Sequence, residues 1–141
     1  MNDDYLFYND KWMKEKGDKP WETDVAEQAT AFILTRSDQE LSDLNIKDTA
    51  TALGTECAFL SQEFLLYQGI TFERFMEREK LYRAVFALEI DRYLTVGGLS
   101  KRLGFTTVRN FVKTFEDYFL IDPWRYQLLI RNKARYSHKN L

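Results

Sequence analysis

The chain holds one cysteine, one histidine and only two prolines in 141 residues, and each scarcity removes a class of function. Cys57 has no partner for an internal disulfide, and with His138 alone it cannot supply the ligand set of a structural zinc site. No metal and no cofactor are expected. No nucleophile–base pair, phosphate-binding glycine loop or ligand cluster is present, and Glu77 and Glu79, two apart on a helix, do not face one another as an acid–base pair. An enzyme is not expected. No stretch approaches the roughly 18 to 20 apolar residues of a membrane span. The acidic, aromatic start (Asp3, Asp4, Tyr5, Phe7, Tyr8) lacks the basic and apolar regions of a signal peptide. The expectation is a cytoplasmic protein with no membrane contact.

What is present suffices for one packed domain. Hydrophobic residues make up 45% and aromatics 16% of the chain, and 141 residues is an ordinary size for a single core. Net charge is −2, which argues against a nucleic-acid partner only if it is evenly spread. It is not. Residues 1–94 carry 11 Lys/Arg against 19 Asp/Glu, net −8, whereas 95–141 carry nine against three, net +6. The basic end is the candidate nucleic-acid end.

The chain also repeats itself, which bears on the fold before any element is assigned. Ile46 to Gly54 matches Val96 to Gly104 in register, at an offset of 50. After one inserted residue, Phe105, Leu60, Phe64, Phe72 and Phe75 pair with Phe111, Phe115, Pro123 and Tyr126 at an offset of 51. Each copy reads as a short helix closed by a glycine, a few turn residues, and a second helix. In that second helix Leu60 and Phe64, or Phe111 and Phe115, lie four apart and face inward together. This is a helix-turn-helix pattern. An ordinary helical hairpin repeat with no ligand has the same spacing, so periodicity alone leaves both readings open.

The remaining elements fit around the two units. Val25 to about Leu41 reads as a leading helix with Ala29, Phe32, Ile33 and Leu41 on its apolar stripe. Phe72 to about Tyr93 reads as a long helix with Leu81, Ala84, Val85 and Leu88 at i, i+3, i+4 and i+7. Pro123 suits the first turn of a closing helix containing Tyr126, Leu129 and Ile130. The fold class expected is all-α, with about seven helices forming two tandem helix-turn-helix units joined by a long linker helix. Residues 1–24 form an N-terminal extension, 25–136 the domain (first unit 25–71, linker helix 72–93, second unit 94–136), and 137–141 a tail. The extension's aromatics, Tyr5, Phe7, Tyr8, Trp12 and Trp21, are expected to dock on the domain, being costly to expose.

From Val25 to Arg131 the chain resembles the two-unit DNA-binding domain of the AraC/XylS family, particularly the stand-alone MarA, SoxS and Rob type. Leu53-Gly54, Leu60, Phe64, Gly69, Phe75, Lys80 and Ala84 fall at the family's spacing in the first unit. Leu103-Gly104-Phe105, Phe111, Phe115, Pro123 and Tyr126 do so in the second, and Lys113 to Phe119 is similar to the family's helix and exit. Departures cluster on function. Glu56 stands where the family has serine at the start of the first recognition helix, and Gln62 where it has arginine. Leu120 replaces a glycine, and Gln127 a common arginine.

The resemblance implies a sequence-specific transcriptional regulator that binds double-stranded DNA as a monomer. The second helix of each unit would enter successive major-groove segments about 34 Å apart. On the second such helix Thr107, Val108, Arg109, Val112 and Lys113 face outward. Arg109 is suited to grip guanine O6 and N7, and the valines to meet thymine methyls. On the first, Ala58, Ser61 and Gln62, with Cys57 and Leu65 beside them, form the equivalent face without a cation. The alternative reading is a protein-interaction module with a degenerate form of this fold, acting on RNA polymerase or another regulator through the acidic half.

Overall fold

The structure, a computed structural model, describes residues 24–91 and 93–139. Eight helices and no strand occur among them: α1 (Val25–Leu34), α2 (Asp38–Asp43), α3 (Ile46–Ala52), α4 (Cys57–Gln68), α5 (Phe72–Ile90), α6 (Val96–Arg102), α7 (Val108–Phe119) and α8 (Pro123–Lys139). The all-helical expectation holds, with eight helices rather than about seven. The expected docking of the N-terminal aromatics falls on residues 1–23, outside the described residues.

Three boundaries differ from the sequence reading, each for a local reason. The single leading helix is two, because Ser37 caps α2 in a reciprocal box: its Oγ accepts from the Glu40 amide at 3.1 Å, and the Ser37 amide donates to Glu40 Oε1 at 2.9 Å. That box satisfies two amides a new helix start leaves free. The linker helix stops at Ile90, where Asp91 leaves helical geometry and its Oδ1 accepts from the Tyr93 amide. The last helix runs on to Lys139, into the segment read as tail.

The repeat is visible in the backbone itself. Asn45 and Thr95 cap α3 and α6 through their side chains, 50 positions apart. The turns that follow are closed alike, by Thr55 donating to the Ala50 carbonyl and Phe105 to that of Ser100. Thr71 and Asp122 cap α5 and α8, 51 positions apart.

Each unit has its own core, and α5 serves both. Its first half gives Phe72, Phe75 and Met76 to a cluster with Ile33, Leu41, Leu60 and Phe64. Its second half gives Leu81, Ala84 and Leu88 to a cluster with Leu99, Leu103, Phe111 and Phe115. At about 100° per residue the two sets lie on nearly opposite sides of the helix. The units therefore sit on opposite faces of one rod. Leu60, Phe64, Phe111 and Phe115, the residues expected inside, are fully buried.

The units also touch directly through α2. Asp38 pairs with Arg83 of α5 at 3.1 Å and with Arg102 of α6 at 3.3 Å. Arg83 further holds Glu79 at 2.9 Å and donates to the Ile33 and Leu34 carbonyls that end α1. At Gly104 the two units come so close that an added Cβ would lie 2.5 Å from Ser42 Cβ and 2.8 Å from its carbonyl oxygen. The two units are thus held together by α2 as well as by the linker helix.

Candidate nucleic-acid interface

The second unit's α7 is an amphipathic helix with a closed start. Thr107 caps it, its Oγ1 accepting from the Asn110 amide at 3.0 Å, so one of that hydroxyl's two acceptor sites is already used. Phe111 and Phe115 bury the inner face, in edge contact at 5.8 Å. The outer face carries Arg109, Asn110, Lys113, Glu116 and Asp117, all exposed. Neither Arg109 nor Lys113 has an ion pair within 4 Å among the described residues. Among the described residues no counter-charge is in contact with either, which suits an anion-binding surface. Val108 is exposed, whereas Val112 is half-buried and packs against the second core, so it offers a smaller apolar edge than Val108 does.

Two residues that the sequence reading did not single out join this face. Asn110 is exposed beside Arg109 and one turn before Lys113, and its amide is of the type that reads adenine N6 and N7. Its distance of three residues from the capping Thr107 was the signal available in the sequence. Arg74 comes from the start of α5, 39 positions before Lys113 in the chain. It lies over the Tyr118 ring at 5.6 Å and against Glu77 at 3.6 Å, and shares with Lys113 and Asn110 a polar depression of about 490 Å³. No sequence signal could have found it, because only the packing of α5 on α7 brings it there.

The basic end is only partly available as an interface. Arg102 is used in the pair with Asp38 and Arg125 in a pair with Asp122 at 3.4 Å. Gln127, at the place of the family's common arginine, is buried and donates to the Leu94 carbonyl. Tyr126 donates to Glu89 Oε1 at 2.8 Å; burial first, then that carboxylate, pushes its phenol up to about 12. Tyr126 thus fastens α8 to the linker helix, and Gln127 fastens it to the loop that follows that helix.

The first unit's α4 occupies the equivalent place with different chemistry. Its start, Glu56, makes no side-chain cap. Ala58, Ser61 and Gln62 are exposed as expected, as are Cys57 and Leu65. They share the surface with Phe59 and Leu66, also exposed, and no Lys or Arg lies anywhere in α4.

No protein-family model and no curated protein sequence matches the chain. Solved structures do match it in fold. The C-terminal domain of AraT, a response regulator from Geobacillus stearothermophilus, is 21% identical with a TM-score of 0.66, covering 76% of this chain and 86% of that one. The C-terminal domain of the two-component response regulator yesN from Fusobacterium nucleatum is 21% identical with a TM-score of 0.64, covering 74% and 99%. A Chromobacterium violaceum transcriptional regulator described as containing an AraC-type DNA-binding domain is 19% identical with a TM-score of 0.66, covering 75% and 91%. The chain has the fold of AraC-type DNA-binding domains.

Proposed function

We propose that this chain, with the fold of AraC-type DNA-binding domains, is a sequence-specific double-stranded DNA-binding transcriptional regulator whose second unit carries the duplex contact. The observation that supports this reading most is the pair of cations Arg109 and Lys113, without an ion pair among the described residues and four apart on the exposed face of α7. Two charges on one helix face, flanked by Asn110 and Val108, combine phosphate attraction with groups that read base edges. Thr107 and Val112 lie at the margins of the same face. Because both units belong to one chain, a monomer suffices for this contact. The resemblance implies a second groove contact by α4, but that helix presents Ala58, Ser61 and Gln62 with no cation, so it adds little to affinity.

The test is a mobility-shift assay with duplexes selected from a random pool, at two salt concentrations. Selective binding that weakens steeply with salt is expected, since each phosphate contact releases a counterion. Failure to enrich any sequence, with no retarded band at low salt, would sink the proposal.

A further inference from the structure

The two pseudo-equivalent helices differ in a way that DNA binding does not explain. The five outermost positions of α7 are Arg109, Asn110, Lys113, Glu116 and Asp117; the five equivalent positions of α4, 51 earlier, are Ala58, Phe59, Gln62, Leu65 and Leu66. All ten are exposed. Leu66 is 74% exposed and Phe59 50%. With Leu60 and Phe64 buried on the opposite side, α4 is apolar on both faces. A helix of that kind in water is missing a neighbour on its outer side.

Charge narrows what that neighbour is. Residues 25–71 hold two Lys/Arg against seven Asp/Glu, net −5, and Glu56 lies at the start of α4. A duplex or an anionic membrane is repelled by such a surround. Residues 1–23 are themselves acidic, with four Lys against six Asp/Glu, and gain nothing electrostatically there. The partner must pair apolar side chains with a basic rim. One surface of this chain has that composition. On α8, Trp124 and Leu128 lie four apart and are 53% and 55% exposed, and residues 123–133 hold three Lys/Arg and no Asp/Glu. In its own chain α8 is packed on α5 and α7 through Tyr126 and Ile130, on the second unit. It therefore cannot turn to cover α4 of the first.

We propose that the outer face of α4 docks the Trp124–Leu128 face of α8 from a second copy of this chain, head to tail. Two different surfaces are used, so each added copy leaves one of each kind open and the contact is polar along the assembly. The apolar residues supply the attraction, and the opposite rims fix orientation and exclude the α4–α4 and α8–α8 pairings. The α7 face takes no part, so the duplex contact proposed for the second unit is unaffected, whereas the outer face of α4, with Ala58 and Gln62 on it, serves the second copy in place of the groove contact that the resemblance implies.

Sedimentation velocity of the full chain without DNA tests it, over about 5 to 500 μM, a span suited to weak association. Wild type is expected to shift to faster-sedimenting species with rising concentration, and less so at high salt. Leu66→Lys and Leu128→Glu, both at exposed positions, are each expected to remain monomeric at the top concentration. Trp124→Glu should repeat the second result. Mixed one to one, Leu66→Lys and Leu128→Glu should form a dimer and stop there, because each retains the face the other lacks. Wild type that stays monomeric throughout overturns the proposal. So does a Leu128→Glu variant that associates like wild type, which would mean α4 pairs with something other than α8, or a mixture that fails to restore the dimer.

Discussion

Asp38 and Arg102 form an ion pair between the two units, Oδ2 to Nε at 3.3 Å, while the other Asp38 oxygen is held by Arg83 of the linker helix at 3.1 Å. One carboxylate thus ties together the first unit, the linker and the second unit. Arg83 is well buried and Arg102 about half exposed, so the two contacts differ in weight. Asp38→Ala is expected to cost about 1–2 kcal/mol by denaturant melt, since it leaves a buried guanidinium short of a partner. Arg102→Ala should cost under about 1 kcal/mol, as exposed pairs do. An Asp38→Ala protein that unfolds with the wild-type midpoint would show that the pair does not constrain the units.

Gly104→Ala should be the most damaging substitution among the described glycines. The backbone there has φ +81°, and the new methyl would meet Ser42 at 2.5 Å. Gly69→Ala has a comparable φ of +78° but open space around it. The left-handed conformation alone costs about 1–2 kcal/mol, and the clash at Gly104 adds to it. Equal thermal destabilisation of the two variants would remove the close approach of the units as a packing constraint.

At the place that Gly69 holds in the first unit, the second has Leu120, in the same left-handed conformation with φ 61° and 89% exposed. It closes α7 by donating to the Glu116 carbonyl at 2.8 Å. Leu120→Gly should relieve about 1–2 kcal/mol of backbone strain against about 0.5–1 kcal/mol of lost chain restriction. The net expectation is a small gain, read as a higher melting temperature. A clear drop would mean that the leucine side chain makes a stabilising contact despite its exposure.

On a selected duplex at fixed salt, Arg109→Ala is expected to weaken specific binding by roughly 1–3 kcal/mol and relax preference at one base pair. Lys113→Ala, as a phosphate contact, should weaken all sequences alike and make the salt slope shallower by about one. Ser61→Ala should change little, and Glu56→Gln should strengthen binding if that carboxylate faces a phosphate. Affinity lost on Ser61→Ala but kept on Arg109→Ala would reverse the assignment of the two units.

Lys80 lines the cleft between the units, with its ammonium 5.8 Å from the Phe105 ring centre. Burial holds it below the usual lysine range, with Glu77 and Asp43 acting weakly in the other direction. A lowered lysine binds fewer protons folded than unfolded in the window between its folded value and about 10.4, so its contribution makes stability rise with pH there. Lys80→Met removes that contribution. Its stability relative to wild type should be highest near neutrality and decline toward pH 10, by denaturant melts at each pH. A difference that is flat in pH would show that Lys80 titrates normally.

The repeat and the buried pairs were legible in the sequence, and so was the family whose fold the chain has. Leu60 and Phe64, or Phe111 and Phe115, lie one turn apart on the same helix, so their shared burial follows from spacing alone. The outward face of α7 was legible for the same reason, once Phe111 and Phe115 were placed inside. The break at Ser37 was not legible, because the apolar stripe from Ala29 to Leu41 runs across it; the hydrogen bonds between Ser37 and Glu40 reveal it.

Other features required the folded chain. Asp38 and Arg102 are 64 positions apart, and Arg74 reaches the α7 face from a helix whose own period gives no hint of it. The linker helix buries Phe72, Phe75 and Met76 on one side and Leu81, Ala84 and Leu88 on nearly the opposite one, a switch that becomes meaningful only with a unit packed on each side. Local periodicity follows from the 3.6-residue turn of a single helix. Which charges are committed between the units, and which stay free to meet a ligand, depends on how separate helices are brought together in space.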